Sequence, residues 1–283
     1  MHNALSIDFE DWYQAFAARG IPGWEQHPSR VPRDTERLLT VLDKYKTKIT
    51  FFILGEVAET FPDEIRAIHK AGHEIASHGY RHLPLYRQDQ ATFERETRAS
   101  NEFLENLTGE PVLGFRAPFF SIREESLWAI DSLHKLGFKY DSSMNPIAGL
   151  LHGYKGAGRS AYTHPNGLHE LPITTYRLPG LTVPFGGGIW YRLLPYPAIR
   201  TGLKRLNRQN VAGNIYFHPR EFDPDLPRIK AGWKMYLINY AGTATLESKL
   251  ERMLQDFTWV PVKDYLREQI PGADLTGART IAS

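Results

Sequence analysis

Short apolar runs alternate with longer amphipathic stretches along the first half of this chain. The short runs resemble strands, with many β-branched and aromatic residues, and they occupy 4–11, 48–55, 73–78 and 112–118. The longer stretches repeat apolar residues at helical spacing, and they occupy 33–46, 61–72, 89–109 and 124–138. Strands and helices that alternate with short links predict βαβ units around a parallel sheet.

The second half continues this pattern less regularly. Its predicted elements are a helix at 195–208, a strand at 213–218 and a helix at 245–257. Several βα units follow one another, and no Gly-rich phosphate-binding turn follows the first strand, which favours a barrel over an open doubly wound sheet. We expect one α/β domain, a barrel over residues 1–267, with a loop-rich insertion around 143–190 and a disordered tail at 268–283.

The composition narrows the chemistry. The chain has 283 residues, of which 42% are hydrophobic and 23% charged, ordinary values for a globular protein. Its net charge of +2 gives no reason to expect nucleic acid or an anionic membrane as a partner. Cysteine is absent, so any bound metal must be held by His, Asp or Glu. The oligomeric state stays open.

The sequence shows no sign of membrane insertion or export. No apolar run reaches the roughly 20 residues that a spanning helix needs. The N-terminal segment MHNALSIDFED lacks the basic and apolar regions of a signal peptide. From these two features we expect a soluble, cytoplasmic protein without an integral membrane segment.

Two histidines in the segment SHGYRH are four residues apart. His78 and His82 can face one point if the backbone between them makes one helical turn. Neutral imidazoles are ligands of zinc-like ions, but two ligands do not make a site. The spacing alone leaves a metal site and a pair of surface histidines equally open.

Polar residues end several of the predicted strands. In a parallel barrel the C-terminal strand ends meet on one rim, where catalytic residues collect. In chain order, the residues at or just after these ends are Asp8, Glu10, Asp11, His78, His82, Arg116, Asp141 and His218. Carboxylates, histidines and an arginine that converge on one rim favour the metal site.

The ordered segments DFED, SHGYRH, FRAP, YDSS and FHP resemble the polysaccharide deacetylase family (NodB-homology, carbohydrate esterase family 4) over residues 4–265. The stretches SIDFEDW, SSMNP and FHPREFDP resemble its branch associated with exopolysaccharide and exosortase loci. The resemblance implies a distorted (β/α)7 barrel and one divalent metal, with zinc ahead of cobalt and nickel. It also implies removal of N-acetyl groups from an N-acetylated sugar or polysaccharide partner during glycan biosynthesis.

The resemblance implies roles for the histidines and the first acids. A metal that activates water needs three protein ligands and an open position; His78 and His82 would be two of the ligands. Relatives with acids two residues apart use the first as a base, which makes Asp8 the base and puts Glu10 at the ligand position. Strand alternation agrees, because residues 8 and 10 point the same way. A bulge at the strand end would instead make Asp11 the ligand, so both stay candidates.

The same resemblance implies the remaining catalytic roles. Arg116 would pair with Asp8 and keep it ionised. The backbone N–H near Phe119 would help to stabilise the tetrahedral oxyanion. His218 would protonate the leaving amine, and Asp141 would hold His218 as an imidazolium.

Two tryptophans are candidate contacts for the sugar. Trp12 follows the first acids directly and is expected in the wall of the pocket. Trp190 follows three glycines and could stack on a sugar ring, although aromatic residues near glycines are as often loop anchors.

Two other functions are compatible with these motifs. One is hydrolysis of a non-sugar amide, as in the allantoinase-like or cyclic-imidase branch, whose members often carry Glu-Glu where this chain has Asp8 and Glu10. The other is a non-catalytic carbohydrate-binding protein on the same scaffold. We would expect that protein to have lost a metal ligand or Asp8.

Overall fold

The computed structural model of the protein describes residues 1–147, 153–154 and 156–276. Within these ranges its strands are β1 (His2–Phe9), β2 (Thr50–Ile53), β3 (Glu74–Ser77), β4 (Gly114–Phe115), β5 (Tyr140–Asp141), β6 (Tyr162–Thr163), β7 (His169–Glu170), β8 (Thr175–Leu178), β9 (Leu181–Pro184), β10 (Asn214–Phe217) and β11 (Thr258–Val260). Its α-helices are α1 (Gln14–Ala17), α2 (Val31–Lys44), α3 (Gly55–Thr60), α4 (Pro62–Lys70), α5 (Gln90–Thr108), α6 (Trp128–Lys135), α7 (Ile189–Leu193), α8 (Tyr196–Arg208), α9 (Gly232–Asn239), α10 (Leu246–Asp256) and α11 (Val262–Gln269).

Parallel strands form the centre of the fold. Their order is β10-β1-β2-β3-β4-β5-β7, with β11 alongside β1 and β6 antiparallel on β7. Two backbone hydrogen bonds connect β10 to the chain that follows β7, so the two ends of the sheet approach each other. The N–H of Thr174 donates to the carbonyl of Asn214 (3.4 Å), and the N–H of Tyr216 donates to the carbonyl of Gly186 (2.8 Å). The curled parallel sheet confirms the predicted α/β fold class and its barrel-like architecture.

Strand β1 lies inside the sheet and is buried from Asn3 onwards. Its neighbour β2 is buried at every position. A parallel sheet covered on both faces favours apolar residues throughout its strands. Ser6 and Asp8 on β1 are therefore conspicuous, since both are polar and both are buried.

Helices cover the outside of the sheet, and α5 shows how the sequence sets their limits. The side chain of Asp89 accepts a hydrogen bond from the N–H of Thr92 and so caps the first turn (2.8 Å). Gly109 ends the helix with φ of 74°, a left-handed conformation that glycine adopts at little cost. Phe93 and Leu104 lie on the buried face. Among the described helices, none is both long and apolar enough to cross a membrane.

The region predicted as a loop-rich insertion, 143–190, contains a strand of the central sheet. Strand β7 pairs in parallel with β5, and β8 and β9 form a separate antiparallel hairpin. The sequence from residue 169 predicts short strands with turns, but a strand of two residues is too short to show an apolar repeat, so the pattern did not indicate that β7 joins the central sheet. Residues 148–152 and 155, also in this region, lie outside the described residues.

The described part of the predicted disordered tail, 268–276, is packed against the fold. Leu275 is fully buried in a small core cluster with Val262 and Leu266 of α11. Arg267 donates a hydrogen bond to the carbonyl of Leu275. The rest of the predicted tail, 277–283, lies outside the described residues.

Candidate metal centre and active site

Glu10, His78 and His82 lie together at the C-terminal ends of β1 and β3. One ligand atom of each residue lies within 4.8 Å of the corresponding atoms of the other two, and all three residues are buried. Two imidazoles and a carboxylate are the donor set of many zinc-type sites. The two strands are separated by β2 alone, so the parallel sheet brings these ends to one edge.

The ring of His78 is fixed by the backbone of the next strand. Its Nδ1 lies 2.7 Å from the carbonyl oxygen of Arg116, so Nδ1 carries the proton and Nε2 is left with its lone pair. Burial lowers the pKa of His78 to about 4. The imidazole is therefore neutral near pH 7, as a metal ligand must be.

The chain turns between the two histidines at Gly79, whose φ of 81° favours glycine. This turn brings the ring centroids of His78 and His82 to 5.6 Å. Nε2 of His82 lies 2.7 Å from Oε2 of Glu10. The ring of Phe119 packs on the ring of His82, with 4.2 Å between the ring centroids.

The carboxylate of Glu10 also contacts Arg220, from the turn after β10. Burial opposes the ionisation of Glu10, but its contacts with His82 and Arg220 hold its pKa well below its usual range. The 2.7 Å contact between Nε2 of His82 and Oε2 of Glu10 lacks the geometry of a hydrogen bond, and Nδ1 of His82 is also buried without a hydrogen-bond partner. Buried nitrogen and oxygen donors that converge without satisfying one another fit a bound divalent metal.

Asp11 points away from the two histidines. Its Oδ1 accepts hydrogen bonds from the N–H groups of Trp12 (2.8 Å) and Arg30 (3.2 Å). Of the two acids left open by the sequence, the geometry therefore groups Glu10 with the histidines. Strand β1 ends at Phe9, and the alternation that places residues 8 and 10 on one side extends just beyond it.

Asp8 is paired with a fully buried arginine. Nη1 of Arg116 donates to Oδ1 of Asp8 at 2.6 Å and also contacts Oγ of Ser6 at 2.7 Å. Nε of Arg116 donates to the carbonyl of Ser142 (3.1 Å), and its guanidinium lies 4.0 Å from the ring centroid of Phe52. Because the Arg116 carbonyl also holds His78, one residue orients both the predicted base and a candidate ligand.

His218 follows β10 and is positioned by Glu221, three residues later. Nδ1 of His218 lies 3.3 Å from Oε2 of Glu221, which also accepts from the backbone N–H of His218 at 3.0 Å. Oε1 of Glu221 lies 2.8 Å from Nε of Arg192, on α7. Burial opposes the ionisation of Glu221, but Arg192 and His218 bring its pKa to about 2. Nε2 of His218 lies 3.7 Å from Oε1 of Glu10, at the edge of the metal cluster.

Asp141 does not hold His218, contrary to the sequence-based expectation. Strand β5 pairs with β7 so that Asp141 is opposite Glu170, and paired residues of neighbouring strands point to the same face. The Asp141 carboxyl group contacts Oγ of Ser143, and Glu170 lies 3.6 Å from Nε2 of His164. Burial, then the adjacent Glu170, raises the pKa of Asp141 well above its usual range, and burial raises that of Glu170 to about 8.

The sequence did not single out Glu221, Arg192 or Arg220, and it assigned no role to Glu170. The segment HPRE held one usable signal, because a carboxylate three residues after a histidine can close a capping turn. The structure shows this turn, with reciprocal bonds between His218 and Glu221. No local pattern links Arg192 to Glu221, since they lie on separate elements of the fold.

The predicted sugar contacts occupy different environments. Trp12 is fully buried in a cluster with Phe16 and Met235, so its side chain offers no surface to a ligand and the predicted direct contact is not met. Phe119 is partly buried against His82 and has a φ of 59°. Trp190 lies on α7 and is 42% exposed.

Two family models match consecutive parts of the chain. The model described as "Polysaccharide deacetylase" matches residues 9–140, and the "Domain of unknown function (DUF3473)" matches residues 142–267. The first part contains Glu10 and both histidines of the cluster, and the second contains His218 and Glu221.

Proteins named as peptidoglycan deacetylases or as deacetylase-like resemble part of the chain in sequence. The peptidoglycan deacetylase-like protein FGM2 of Gibberella zeae is 39% identical over 154 residues, 50% of this chain and 43% of that protein. The peptidoglycan deacetylase of Helicobacter pylori is 36% identical over 132 residues, 44% of each chain. This chain therefore spans less than half the length of these relatives.

A solved structure extends the likeness in fold. The putative polysaccharide deacetylase from Mycobacterium smegmatis superposes with a TM-score of 0.62 over 95% of this chain and 90% of that one, at 21% identity. Together, the family match and the relatives place residues 9–140 in the polysaccharide deacetylase family, and residues 142–267 match a domain of unknown function.

Proposed function

We propose that this protein is a metal-dependent hydrolase that removes the acetyl group from an N-acetylated sugar of a glycan. One observation carries the proposal: the cluster of Glu10, His78 and His82 lies next to His218 and shares Arg116 with Asp8. A metal that activates water, a carboxylate base and a histidine acid together can hydrolyse an amide.

Asp8 is suited to act as the base. Its Oδ1 accepts a hydrogen bond from Arg116, and the hydrogen bonds of Arg116 to Ser6 and Ser142 fix the direction of the pair. Asp8 would accept a proton from the water that attacks the acetyl carbon. The oxygen of that water then leaves in acetate.

His218 is suited to act as the acid. Glu221 binds its Nδ1, which directs Nε2 towards the side of the site where Glu10 lies. Nε2 would donate a proton to the amide nitrogen as the bond from that nitrogen to the acetyl carbon breaks. The products are acetate and the free amino sugar.

Glu10, His78 and His82 would hold the metal, which we propose to be zinc because the donors are two imidazoles and one carboxylate. When bound, the ion supplies a positive charge that acidifies water and polarises the acetyl carbonyl. The backbone N–H of Phe119 is proposed to donate to the oxygen of that carbonyl. The motifs that resemble the exopolysaccharide-associated branch support an exopolysaccharide or its precursor as the substrate.

The proposal is tested by metal analysis combined with acetate release. Purified protein is loaded with zinc, cobalt or nickel and offered N-acetylated chitooligosaccharides, peptidoglycan fragments and allantoin. We expect one metal per chain and acetate from at least one saccharide. His82→Ala should lose both metal and acetate release, whereas His69→Ala, a change of the same kind on α4, should keep both.

Two results would contradict the proposal. Full metal loading with no acetate from any saccharide, together with hydrolysis of allantoin, would assign the site to a non-sugar amide. Binding of saccharides without hydrolysis by the loaded protein would instead favour a non-catalytic carbohydrate-binding role.

A further inference from the structure

Exposed apolar side chains are concentrated in one part of the molecule. Within the described residues, the large apolar side chains that are exposed are Met1, Leu178, Leu181, Trp190, Leu193, Trp233 and Tyr236. Apart from Met1 at the start of the chain, all of them lie between residues 178 and 236. Trp233 is 69% exposed and Tyr236 is 54% exposed, which are high values for aromatic residues.

Helix α9 has apolar side chains on its buried face and also on its exposed face. Its inner face buries Met235, which packs in a cluster with Trp12, Phe16 and Tyr240. Trp233 and Tyr236 are three residues apart, so they lie side by side on the exposed surface of the helix. An apolar inner face is explained by the core, but the exposed pair is not.

Helix α7 contacts α9 and also exposes apolar side chains. Trp190 and Leu193 are exposed and are also three residues apart, while Arg192 between them is buried. The guanidinium of Arg192 donates hydrogen bonds to the carbonyls of Ala241 (2.9 Å) and Ile238, at the end of α9. The two helices are thereby held together, and each contributes two exposed apolar side chains.

The charge of this region matches one kind of partner. Residues 171–246 contain ten Lys or Arg and three Asp or Glu, a net charge of +7, whereas the rest of the chain carries −5. None of the three acids is available to offset the basic side chains: Glu221 is in the site, and Asp223 and Asp225 pair with arginines of the first half.

Exposed cations lie directly beside the aromatic residues. The Lys234 ammonium is 5.7 Å from the ring centroid of Trp233, and the guanidinium of Arg228 is 5.9 Å from that of Tyr236. Lys230, between them in the chain, is also exposed. Aromatic residues flanked by cations, without acids, are typical of surfaces that enter the headgroup region of an anionic bilayer.

We propose that α7 and α9 form a docking surface for an anionic phospholipid bilayer. A sugar chain would stack on the aromatic rings, but it would leave Leu193 and the cations without a partner. A bilayer can contact the aromatic side chains, Leu193 and the cations together. Its headgroups pair with Lys and Arg, while the boundary of its acyl region accommodates Trp, Tyr and Leu.

The docking surface is connected to the candidate active site. Met235 of α9 packs with Trp12, two residues after Glu10, and Arg192 of α7 contacts Glu221 beside His218. Docking would therefore bring the site close to the membrane. If the proposed function holds, which this last step requires, the substrate is a glycan that is attached to lipid or assembled at a membrane.

Vesicle binding tests the docking surface without any turnover. The purified full chain is sedimented with vesicles of phosphatidylglycerol and phosphatidylethanolamine, and with vesicles of phosphatidylcholine alone. We expect binding to the anionic vesicles that weakens with added salt. The double substitution Trp233→Gln and Tyr236→Gln should lower the apparent affinity at least about tenfold.

Two variants that each remove two positive charges test whether vesicles bind the docking surface itself or are attracted to positive charge anywhere on the protein. Arg228→Gln with Lys234→Gln should lower the affinity about fivefold for each charge removed. Arg95→Gln with Arg98→Gln removes the same charge from exposed positions on α5 and should leave the affinity unchanged. Circular dichroism and acetate release from a soluble saccharide should match the wild type in all of these variants.

Several results would overturn the docking surface while leaving the proposed function intact. They are no binding of the wild-type protein to anionic vesicles, equal losses in both charge pairs, or unchanged binding after the aromatic double substitution. Weaker binding of a soluble saccharide by the aromatic variant, with vesicle binding unaffected, would make the surface a glycan platform instead.

Discussion

The two parts of the chain that the family models separate, before and after residue 141, contribute different things to one site. The first part supplies Asp8, Glu10, the two histidines and Arg116 from strand ends of the regular βα region. The second part supplies His218 and its partner Glu221 from a short turn after β10. The proposed metal ligands and base thus depend on the sheet, whereas the proposed acid depends on a local turn and on Arg192, which contacts Glu221.

The surfaces of the two parts also differ, in their exposed apolar side chains and in their charge. Apart from Met1, the large apolar side chains of the described first part are at least partly covered, while the second part exposes Trp233 and the others of its group. The charge differs as well, and the total of +2 conceals it. The second part therefore completes the candidate site and, by our inference, also determines where the protein meets its proposed substrate.

Removal of the base should have the largest effect. We expect Asp8→Asn to lower the rate of acetate release by about 10²–10⁴-fold, the range usual for loss of a general base, with bound metal retained. The amide keeps the shape of the side chain beside Arg116, so the fold should persist. Rate and metal content are measured together. Asp43→Asn, an exposed change on α2, is the control, and a fully active Asp8→Asn would remove Asp8 from the mechanism.

The assignment of the partner of His218 gives the next largest effect. Glu221→Gln should lower kcat about 10- to 100-fold with little change in KM, because His218 loses the carboxylate that orients it. Glu221→Asp should recover part of the rate. Asp141→Asn, which changes a carboxyl group that contacts Ser143, should leave kcat nearly unchanged, because Glu221 contacts Nδ1 of His218. The reverse result, a large loss in Asp141→Asn alone, would restore the pairing expected from the sequence.

Much of the site could be predicted from the sequence where the necessary geometry is local. The histidines of SHGYRH are four residues apart, and Asp8 and Glu10 alternate on one strand, so spacing named them as candidates, while it left open whether a metal is bound and whether Glu10 or Asp11 is the ligand. The position of Asp141 could not be predicted, because it depends on the register of β5 with β7, a strand of two residues. Trp12 was misjudged for a similar reason: the residues that bury it, such as Met235, lie more than 200 positions away.

The buried pair Asp141 and Glu170 should make stability depend on pH. The pKa of Glu170 is about 8 in the folded protein, above the unfolded value of about 4.3, so the folded state holds its proton more tightly. The free energy of unfolding contributed by this group therefore falls as pH rises from about 4.3 to about 8. Asp141 acts in the same direction, and His164 is the nearby base, 3.6 Å from Glu170.

The amide side chain introduced by Glu170→Gln cannot ionise, so this variant should lose the pH dependence of stability that Glu170 contributes. Relative to the wild type, its free energy of unfolding should rise by at least about 1 kcal/mol between about pH 6 and about pH 9. Urea unfolding at the two pH values measures the change. The amide oxygen can still accept the hydrogen bond from the N–H of Met144, so packing should be preserved. A difference from the wild type that stays constant with pH would show that Glu170 does not titrate in this range.

The smallest expected effect is a shift in Tm that tests whether the two parts unfold together. A single domain, as expected from the sequence, should unfold in one transition. Asp89→Ala removes the N-terminal cap of α5, in the first part, and should cost about 1 kcal/mol. For a domain of this size that corresponds to a fall of about 2–4 °C in Tm. Since β10 of the second part pairs directly with β1 of the first, we expect calorimetry to show one transition that moves as a whole. Asp43→Ala, which removes an exposed acid that caps no helix, should not move it. Two transitions, of which Asp89→Ala shifts only one, would mean that the sheet joins two units that unfold separately.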